Sequence, residues 1–586
     1  MRLWWLAIAV ACVGDEMDKA EDTGMEGDAD ADADADADTD ADTDADTNTD
    51  VPLDADMDGF IAESDGGDDC NDGDPYVNPG ADEVCGGEDE NCDGELDVGA
   101  VDAPTWVVDN DGDGFGLASS AVIQCEAPKN GIKDGPDDCD DNNPAVFPGA
   151  PELCDGFDSD CDPNTSEVAQ IGTTPYPSLL DAVIGAVDGD TIEVCAGTFG
   201  EPIVRLDKDL TIAGVTGVVG DTVLDATNFS SVFVVEQKSD VTLRSLEFTG
   251  ATASAVIGAP GSSITVDDCT FDLNFGNEGG AIFGYEISVL DSTFTDNQAV
   301  GFAGGAIYAL FPGGVQIENS TFTGNQASGA YGFGGALAIQ GADLTLVGSS
   351  FTNNSANFGG GAVWLTNASA VADAATQFTV NNGLFYGGAV MFQTAGLPVS
   401  WTGGEFSGNT TTFAGGGVYI QGGPTDEALL DNVVLNGNVA VLGGGAYFES
   451  GPMRFTNSEV TGNQADFGGG LGVNATNQGT VFVNNVTFTG NTAAAYGGGV
   501  DLFDANVELT DCTLIQNTAL TAGGGVSLFE GTGLTSINTN WGALADDNVS
   551  EDVAIDTYAT KDVEAVFTDF GAAASFVCDV EALTCE

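Results

Sequence analysis

Two loops in this chain carry alternate carboxylates closed by glycine: Asp54, Asp56, Asp58 and Gly59 in one, and Asp109, Asp111, Asp113 and Gly114 in the other. Acids at every second position of a tight turn supply a shell of hard oxygen donors, the environment that Ca2+ takes. The spacing matches the first half of an EF-hand loop, which closes on an acid at its twelfth position. Asp65 stands there in the first loop but Ser120 in the second, and flanking helices are absent. Closure is therefore expected from the Asp-Asp-Cys-x-Asp runs that follow, through Asp68, Asp69 and Asp72 and through Asp137, Asp138 and Asp141. The expected cofactor is Ca2+, against the alternative of an acidic disulfide knot with no ion.

Positioning such loops needs a small rigid frame. Cys70, Cys85 and Cys92 repeat the spacing of Cys139, Cys154 and Cys161, with Cys125 ahead of the second set. These are two copies of one unit, too short to bury enough apolar area without disulfides or metal. Zinc is disfavoured because Cys-x2-Cys pairs are missing. The chain holds no His, so imidazole-bound copper or zinc is excluded. It has 95 Asp and Glu against 10 Lys and Arg, a formal charge of -85 that repels nucleic acid and attracts cations.

The second copy reads Asp137-Asp138-Cys139-Asp140-Asp141, then Phe147-Pro148-Gly149-Ala150-Pro151-Glu152-Leu153-Cys154-Asp155-Gly156, then Asp158-Ser159-Asp160-Cys161-Asp162. It resembles the MopE-type metal-binding repeat of exported bacterial proteins. The first copy, through Asn78-Pro79-Gly80-Ala81-Asp82-Glu83-Val84-Cys85 and Asn91-Cys92-Asp93-Gly94, resembles it less fully and has no counterpart of Cys125. Its disulfide pairing stays open.

Ahead of the copies, Met1-Arg2, an apolar run from Leu3 to Ala11 and then Cys12 resemble a bacterial lipoprotein signal. Lipidation of Cys12 would tether the chain to a membrane; the alternative is a cleaved signal and full secretion. From Asp28 to Asp50 the chain runs Asp-Ala and Asp-Thr, a self-repelling spacer. The expected organisation is a signal over 1–12, an acidic linker over 13–51, two metal-binding repeats over 52–165, a solenoid over 166–540 and a cap over 541–586. Cys578 and Cys585 are expected to staple that cap.

The solenoid is read from a phrase close to Phe-x-x-Asn followed by Gly-Gly-Ala or Gly-Gly-Val, recurring about every 27 residues. Period-2 alternation puts Phe271, Phe294, Phe322, Phe351, Phe378, Phe406, Leu435, Val460, Phe488 and Leu514 on an interior ladder. Three residues on, a column from Asn274 to Asn517 is expected to bond coil to coil. The paired glycines permit the next bend. Cys269 and Cys512 share a slot nine rungs apart, roughly 40 Å at about 4.8 Å per rung, so they are read as free buried thiols. Pro177 to Val183 reads as a short helix, and the segment resembles the opening coils of right-handed parallel β-helix proteins, where a helix covers the first edge. The fold class is all-β, a pectate-lyase-like right-handed parallel β-helix preceded by small disulfide-rich calcium-binding units.

The paired half-motifs also resemble the repeats of chlamydial polymorphic outer-membrane proteins, which are adhesins; this implies adhesion. After the glycines, Ile307, Leu337, Val363, Val390, Tyr419, Tyr447, Gly472, Asp501 and Ser527 are read as one outward column, with Tyr419 and Tyr447 as candidate ligand-binding residues. The alternative orientation turns that column inward and exposes Tyr308, Trp364 and Phe448. No catalytic residue is assigned: the repeats hold only Arg454 as a base, and Asp267-Asp268 should point to opposite faces. The expected function is a cell-surface or secreted calcium-binding protein of adhesion or surface structure, extracellular or on the outer membrane, with a glycan or protein ligand and no nucleic acid. The alternative is a polysaccharide-binding or processing β-helix.

Overall fold

The structure is a computed structural model. It describes residues 54–542 except 136, 151–153, 155–157, 163–166, 201, 394–398, 424–426, 476–478 and 530, together with 548–549 and four strand backbones, Val553–Ile555, Glu564–Phe567, Cys578–Asp579 and Thr584–Cys585. Cys12 and the Asp28 to Asp50 spacer lie outside the described residues, as do the side chains of Cys578 and Cys585. The backbones of those two cysteines pair directly across an antiparallel ladder. Two compact units result, Met1–Ala103 and Pro104–Glu586, so the second acidic copy belongs to the same unit as the solenoid.

Alternation of apolar and polar residues builds each coil from short strands. Glu286–Leu290, Thr293–Thr295 and Ile307–Leu310 form one coil, and each pairs in parallel and in register with the strand one coil later. Repetition yields a 13-stranded and a 14-stranded parallel sheet beside a third long one, wound as a right-handed solenoid. At its start the helix Leu179–Gly185 packs Leu179, Ala182 and Val183 onto the core, as the sequence predicts. Its first turn is capped by Ser178, whose hydroxyl accepts the Asp181 N–H at 3.0 Å.

The Phe ladder is interior, and it extends one coil earlier to Phe248. Its rings stack with centroids 4.6 to 4.8 Å apart from Phe248 to Phe406. The asparagine column is fully buried beside it. Each amide bonds forward and back: Asn381 Nδ2 donates to Phe351 O at 2.9 Å and to Asn409 Oδ1 at 3.0 Å. Glycine is required at the bend. Gly304 has φ +70°, and a Cβ on Gly305 would lie 1.9 Å from Gly335 O in the next coil.

A second internal ladder is less visible in sequence. The backbone N–H of Cys269 donates to Ser292 Oγ, and Ser292 and Ser320 repeat the link to Ser320 and Ser349 at 3.0 to 3.2 Å. Cys269 and Cys512 occupy this column as free, buried thiols. Burial pushes Cys269 up to about 12 and Cys512 up to about 11. Neither is therefore expected to react with iodoacetamide at pH 8 until the coils unfold. Peptide mapping after native and denatured labelling checks this, and native labelling within minutes would contradict it.

The outward column after the glycines is corrected by the register. Ile307, Leu337, Val363 and Val390 align with Val418 and Ala446, all interior, whereas Tyr419 and Tyr447 align with Tyr308, Ala338, Trp364 and Met391. The sequence count slipped because Gly417 and Gly445 take the slot that Ala306 fills earlier, so the residue after the glycines shifts by one. The Tyr column does point away from the interior, yet it is not exposed. Tyr419 is 2 % and Tyr447 8 % accessible, roofed with Tyr308, Trp364 and Met391 by Phe333, Ala414 and the partly buried Tyr386 and Leu442 of the preceding turns. Phe448 is likewise buried.

Candidate functional site

In the first acidic unit the backbone aims the carboxylates. Asp54 accepts Met57 N at 2.6 Å and Gly59 N at 3.0 Å; Asp56 Oδ1 accepts Asp58 N, Asp58 Oδ1 accepts Phe60 N, and Asp58 Oδ2 accepts Asn78 Nδ2 at 2.7 Å. The Asp69 N–H donates to Ile61 O at 3.0 Å, while Asp72 Oδ1 accepts Ala55 N, so loop and closing run are clamped together. Ligand atoms of Asp54, Asp56 and Asp58 lie within 4.8 Å of one another, as do those of Asp56, Asp69 and Asp72. Asp65, the acid at the twelfth position, sits exposed on the short turn Glu63–Asp65.

The second unit repeats the design over a longer insertion. Asp109 accepts Gly112 N and Gly114 N, Asp111 accepts Asp113 N, and Asp113 accepts Phe115 N. Asp141 takes both the N–H and the side-chain amide of Asn110, at 2.7 and 2.6 Å. Asp109, Asp111 and Asp113 cluster within 4.8 Å. Between Phe115 and Asp137 the added residues pair Val122–Ile123 and Gly131–Lys133 antiparallel with Thr105–Val108.

Each cluster keeps buried oxygens without a hydrogen-bond partner among the described residues. They are Oδ2 of Asp56 and Asp69 in the first unit, and Oδ2 of Asp111, Asp113 and Asp138 in the second. A buried, unpaired carboxylate oxygen is costly unless a cation compensates it. Burial raises Asp56, Asp111 and Asp138 above the usual carboxylate range, and repulsion from neighbouring acids adds to it. All these donors are carboxylates, a set that suits a hard cation such as Ca2+ and not a soft or imidazole-seeking one.

The frame is covalent. Cys70 pairs with Cys92 and Cys139 with Cys161, each 22 residues apart, so the first and third cysteines of each set close the unit. Cys154 pairs with Cys195, a residue the sequence reading passed over, and so ties the second unit to the opening coils. Cys85 and Cys125 are also disulfide-bonded. Cys195 follows the interior strand Thr191–Val194 and lies outside the repeated spacing, which is why no motif pointed to it. Such disulfides belong to proteins of oxidising, exported compartments.

The solenoid carries a second feature. Phe302, Tyr331, Phe358, Phe385 and Phe413 occupy successive turns, and Tyr331, Phe358 and Phe385 follow one another at 6.0 Å between ring centroids. Tyr331 is 67 % exposed and Phe385 44 %. Alongside runs a row of Gln298, Gln326, Ser355, Asn382 and Thr410, paired in register. In a chain of charge -85, the segments 298–310, 326–340, 355–372, 382–404 and 410–425 hold no charged residue at all. The exposed aromatic residues thus lie in the turns ahead of the strands that carry Tyr419 and Tyr447. The acids weighed for catalysis are engaged locally: Asp267 pairs with Arg244 at 2.9 Å and Asp268 accepts the Ser245 hydroxyl.

The MopE family, named for copper binding and described as a metal-binding motif, matches residues 69–97 and 138–167. The right-handed β-helix region matches 220–389 and 395–541. No curated protein matches the chain. Among solved structures, the A-module of the Azotobacter vinelandii mannuronan C-5 epimerase AlgE4 is 12 % identical, with 67 % of this chain and 94 % of that one covered and a TM-score of 0.33. Tailspike protein 3 of bacteriophage CBA120 is 12 % identical over 69 % and 64 %, with a TM-score of 0.30. The receptor-binding protein of bacteriophage Det7 is 10 % identical over 69 % and 78 %, with a TM-score of 0.19.

Proposed function

This chain belongs to the right-handed β-helix family, and we propose that it is an exported, calcium-binding adhesive scaffold of the cell surface. The observation that carries the adhesive reading is the uncharged aromatic row from Phe302 to Phe413 on a rigid ladder, in an otherwise acidic protein. Exposed rings beside neutral amides and hydroxyls suit stacking and hydrogen bonding to a glycan or a protein, and the lack of charge spares the ligand any repulsion on close approach. The likeness of the repeats to those of the chlamydial polymorphic outer-membrane adhesins supports the same reading. Attachment to the membrane through Cys12 is part of the proposal and rests on the signal-like sequence ahead of it. Engagement of Asp267 and Asp268 with Arg244 and Ser245 supports action by binding rather than catalysis.

Ca2+ is the metal proposed for the acidic units, held by Asp54, Asp56, Asp58, Asp69 and Asp72 and by Asp109, Asp111, Asp113, Asp138 and Asp141. Bound there, the ion would neutralise the clustered carboxylates and lock loop to closing run. A carboxylate-only donor set without His argues against copper despite the name of the matched family.

Substituting Tyr331 and Phe385 together by Ser is expected to lower binding to a glycan array or to an array of extracellular proteins by at least about tenfold, since exposed aromatic anchors dominate such contacts. The denaturation midpoint should hardly move, because both rings are largely at the surface. Unchanged binding by the double variant would remove the adhesive role of this face.

A further inference from the structure

The uncharged aromatic row has charged ends. Glu278 stands one coil before Phe302 and Asp466 one coil after Val441, and the turns between them, at Phe302, Tyr331, Phe358, Phe385, Phe413 and Val441, hold no charge. They span about 24 Å along the axis at a rise of about 4.8 Å per coil. Val300, Leu384 and Val439 add exposed aliphatic surface to the rings. Around the corner the surface stays neutral through Asn353 and Val380 to the outward Thr323, Thr352 and Thr379. An apolar strip this continuous on a folded chain marks a contact surface.

Charge and pitch together select the partner. At -85, two copies of this chain repel each other over most approaches, and the strip is where they can touch without opposing carboxylates. A basic protein would be drawn to the acidic surfaces instead. The rings recur at coil spacing, with Tyr331, Phe358 and Phe385 following one another at 6.0 Å. A second copy repeats that spacing over every turn of the strip, whereas a surface of different period falls out of step. Beside the rings, Gln298, Gln326, Ser355, Asn382 and Thr410 carry amides and hydroxyls that both donate and accept, so the row is complementary to itself. An antiparallel pair about a two-fold axis at the turn of Ser355 and Phe358 sets Tyr331 of one copy against Phe385 of the other, and Gln326 against Asn382.

We propose that this strip pairs two copies of the chain face to face, so that adhesion between surfaces bearing it is homophilic. The proposal rests on the reading of the aromatic row as a binding face and names its partner. Sedimentation of the full chain in Ca2+ from about 1 to about 200 μM tests it. A monomer–dimer equilibrium is expected, tightening at least about threefold between about 50 and about 500 mM NaCl, because screening relieves the repulsion around the strip. Ser355→Asp, which sets two like charges at the axis, should weaken the pair at least about tenfold, and the uncharged Ser355→Asn less than about threefold. Ser355 faces outward, so the unfolding midpoints of the dilute monomers should agree. A chain that stays monomeric at both salt levels, a dimer equally tight in Ser355→Asp and in the double Ser variant of Tyr331 and Phe385, or one that loosens as salt rises would each overturn the proposal. Array binding that the double variant lowers in a strictly monomeric chain overturns the pairing alone and assigns the row to a glycan or an unlike protein. Dimers lost in that variant while array binding is unchanged uphold the pairing and remove the other ligands.

Discussion

Asn381→Ala is expected to destabilise the solenoid by about 3–6 kcal/mol, whereas Asn382→Ala, one residue away, should cost no more than about 1 kcal/mol. The Asn381 side chain takes part in four hydrogen bonds at full burial. Its Oδ1 accepts Asn354 N at 2.9 Å and Asn354 Nδ2 at 3.0 Å, and its Nδ2 donates to Phe351 O and Asn409 Oδ1. Truncation strands the Asn354 donors in a site that excludes water, and each orphaned group costs about 1–3 kcal/mol. The Asn382 side chain is exposed and donates to Thr410 Oγ1 at 2.8 Å. Denaturant unfolding of the two variants makes the comparison. Equal midpoints would mean that the ladder contributes geometry without stability. Asn381→Asp should be at least as damaging as alanine, because a carboxylate has no N–H to give Phe351 O and would face Asn409 Oδ1 with like polarity.

The second large effect is a change of sign. Asp138→Asn is expected to stabilise the protein in chelator yet to lower its Ca2+ affinity by on the order of 100-fold, since ligand charge tunes such sites over decades. Without metal, Asp138 is buried, its Oδ2 has no hydrogen-bond partner among the described residues, and burial together with repulsion from Asp113, Asp111 and Asp141 disfavours its charge. An amide removes that penalty. With Ca2+ at about 100 times the dissociation constant, binding stabilises the wild-type fold by about 2.7 kcal/mol, most of which the variant loses. Asp69→Asn should repeat the pattern in the first unit, where Asp69 Oδ2 is likewise unpaired. Thermal unfolding in chelator and in Ca2+, alongside calorimetric titration, reads both halves. A full chain that binds no Ca2+, or a variant that shifts stability in the same direction under both conditions, would remove the calcium assignment. A parallel titration with Cu2+ tests the metal in the name of the matched family.

The acidic loops were legible because their chemistry is local. Asp54 to Asp58 and Asp109 to Asp113 need only a Gly-turned loop to converge, and the Asp-Asp-Cys runs lie close behind. The place of Asp65 was less legible, because the twelfth position has its EF-hand meaning only in a helix-flanked loop, and here it falls on a short exposed turn. Cys195 had no signal of its own, since the partner of Cys154 is chosen by how the second unit meets the opening coils.

Sequence alone determined the solenoid, its Phe and Asn ladders and its glycine bends, because identical side chains at a fixed period can pair only with their own copies one coil away. It also determined the carboxylate character of the metal loops. Tertiary structure decided what the outer columns face. Period 2 says that Val418 and Tyr419 point in opposite directions, but the chain folds its own turns over the outward one, so Tyr419 is as buried as its neighbour while Tyr331 and Phe385, in those turns, meet solvent. Outward and exposed differ wherever a turn can cover a strand, and that depends on contacts between residues about 30 positions apart which no local pattern encodes.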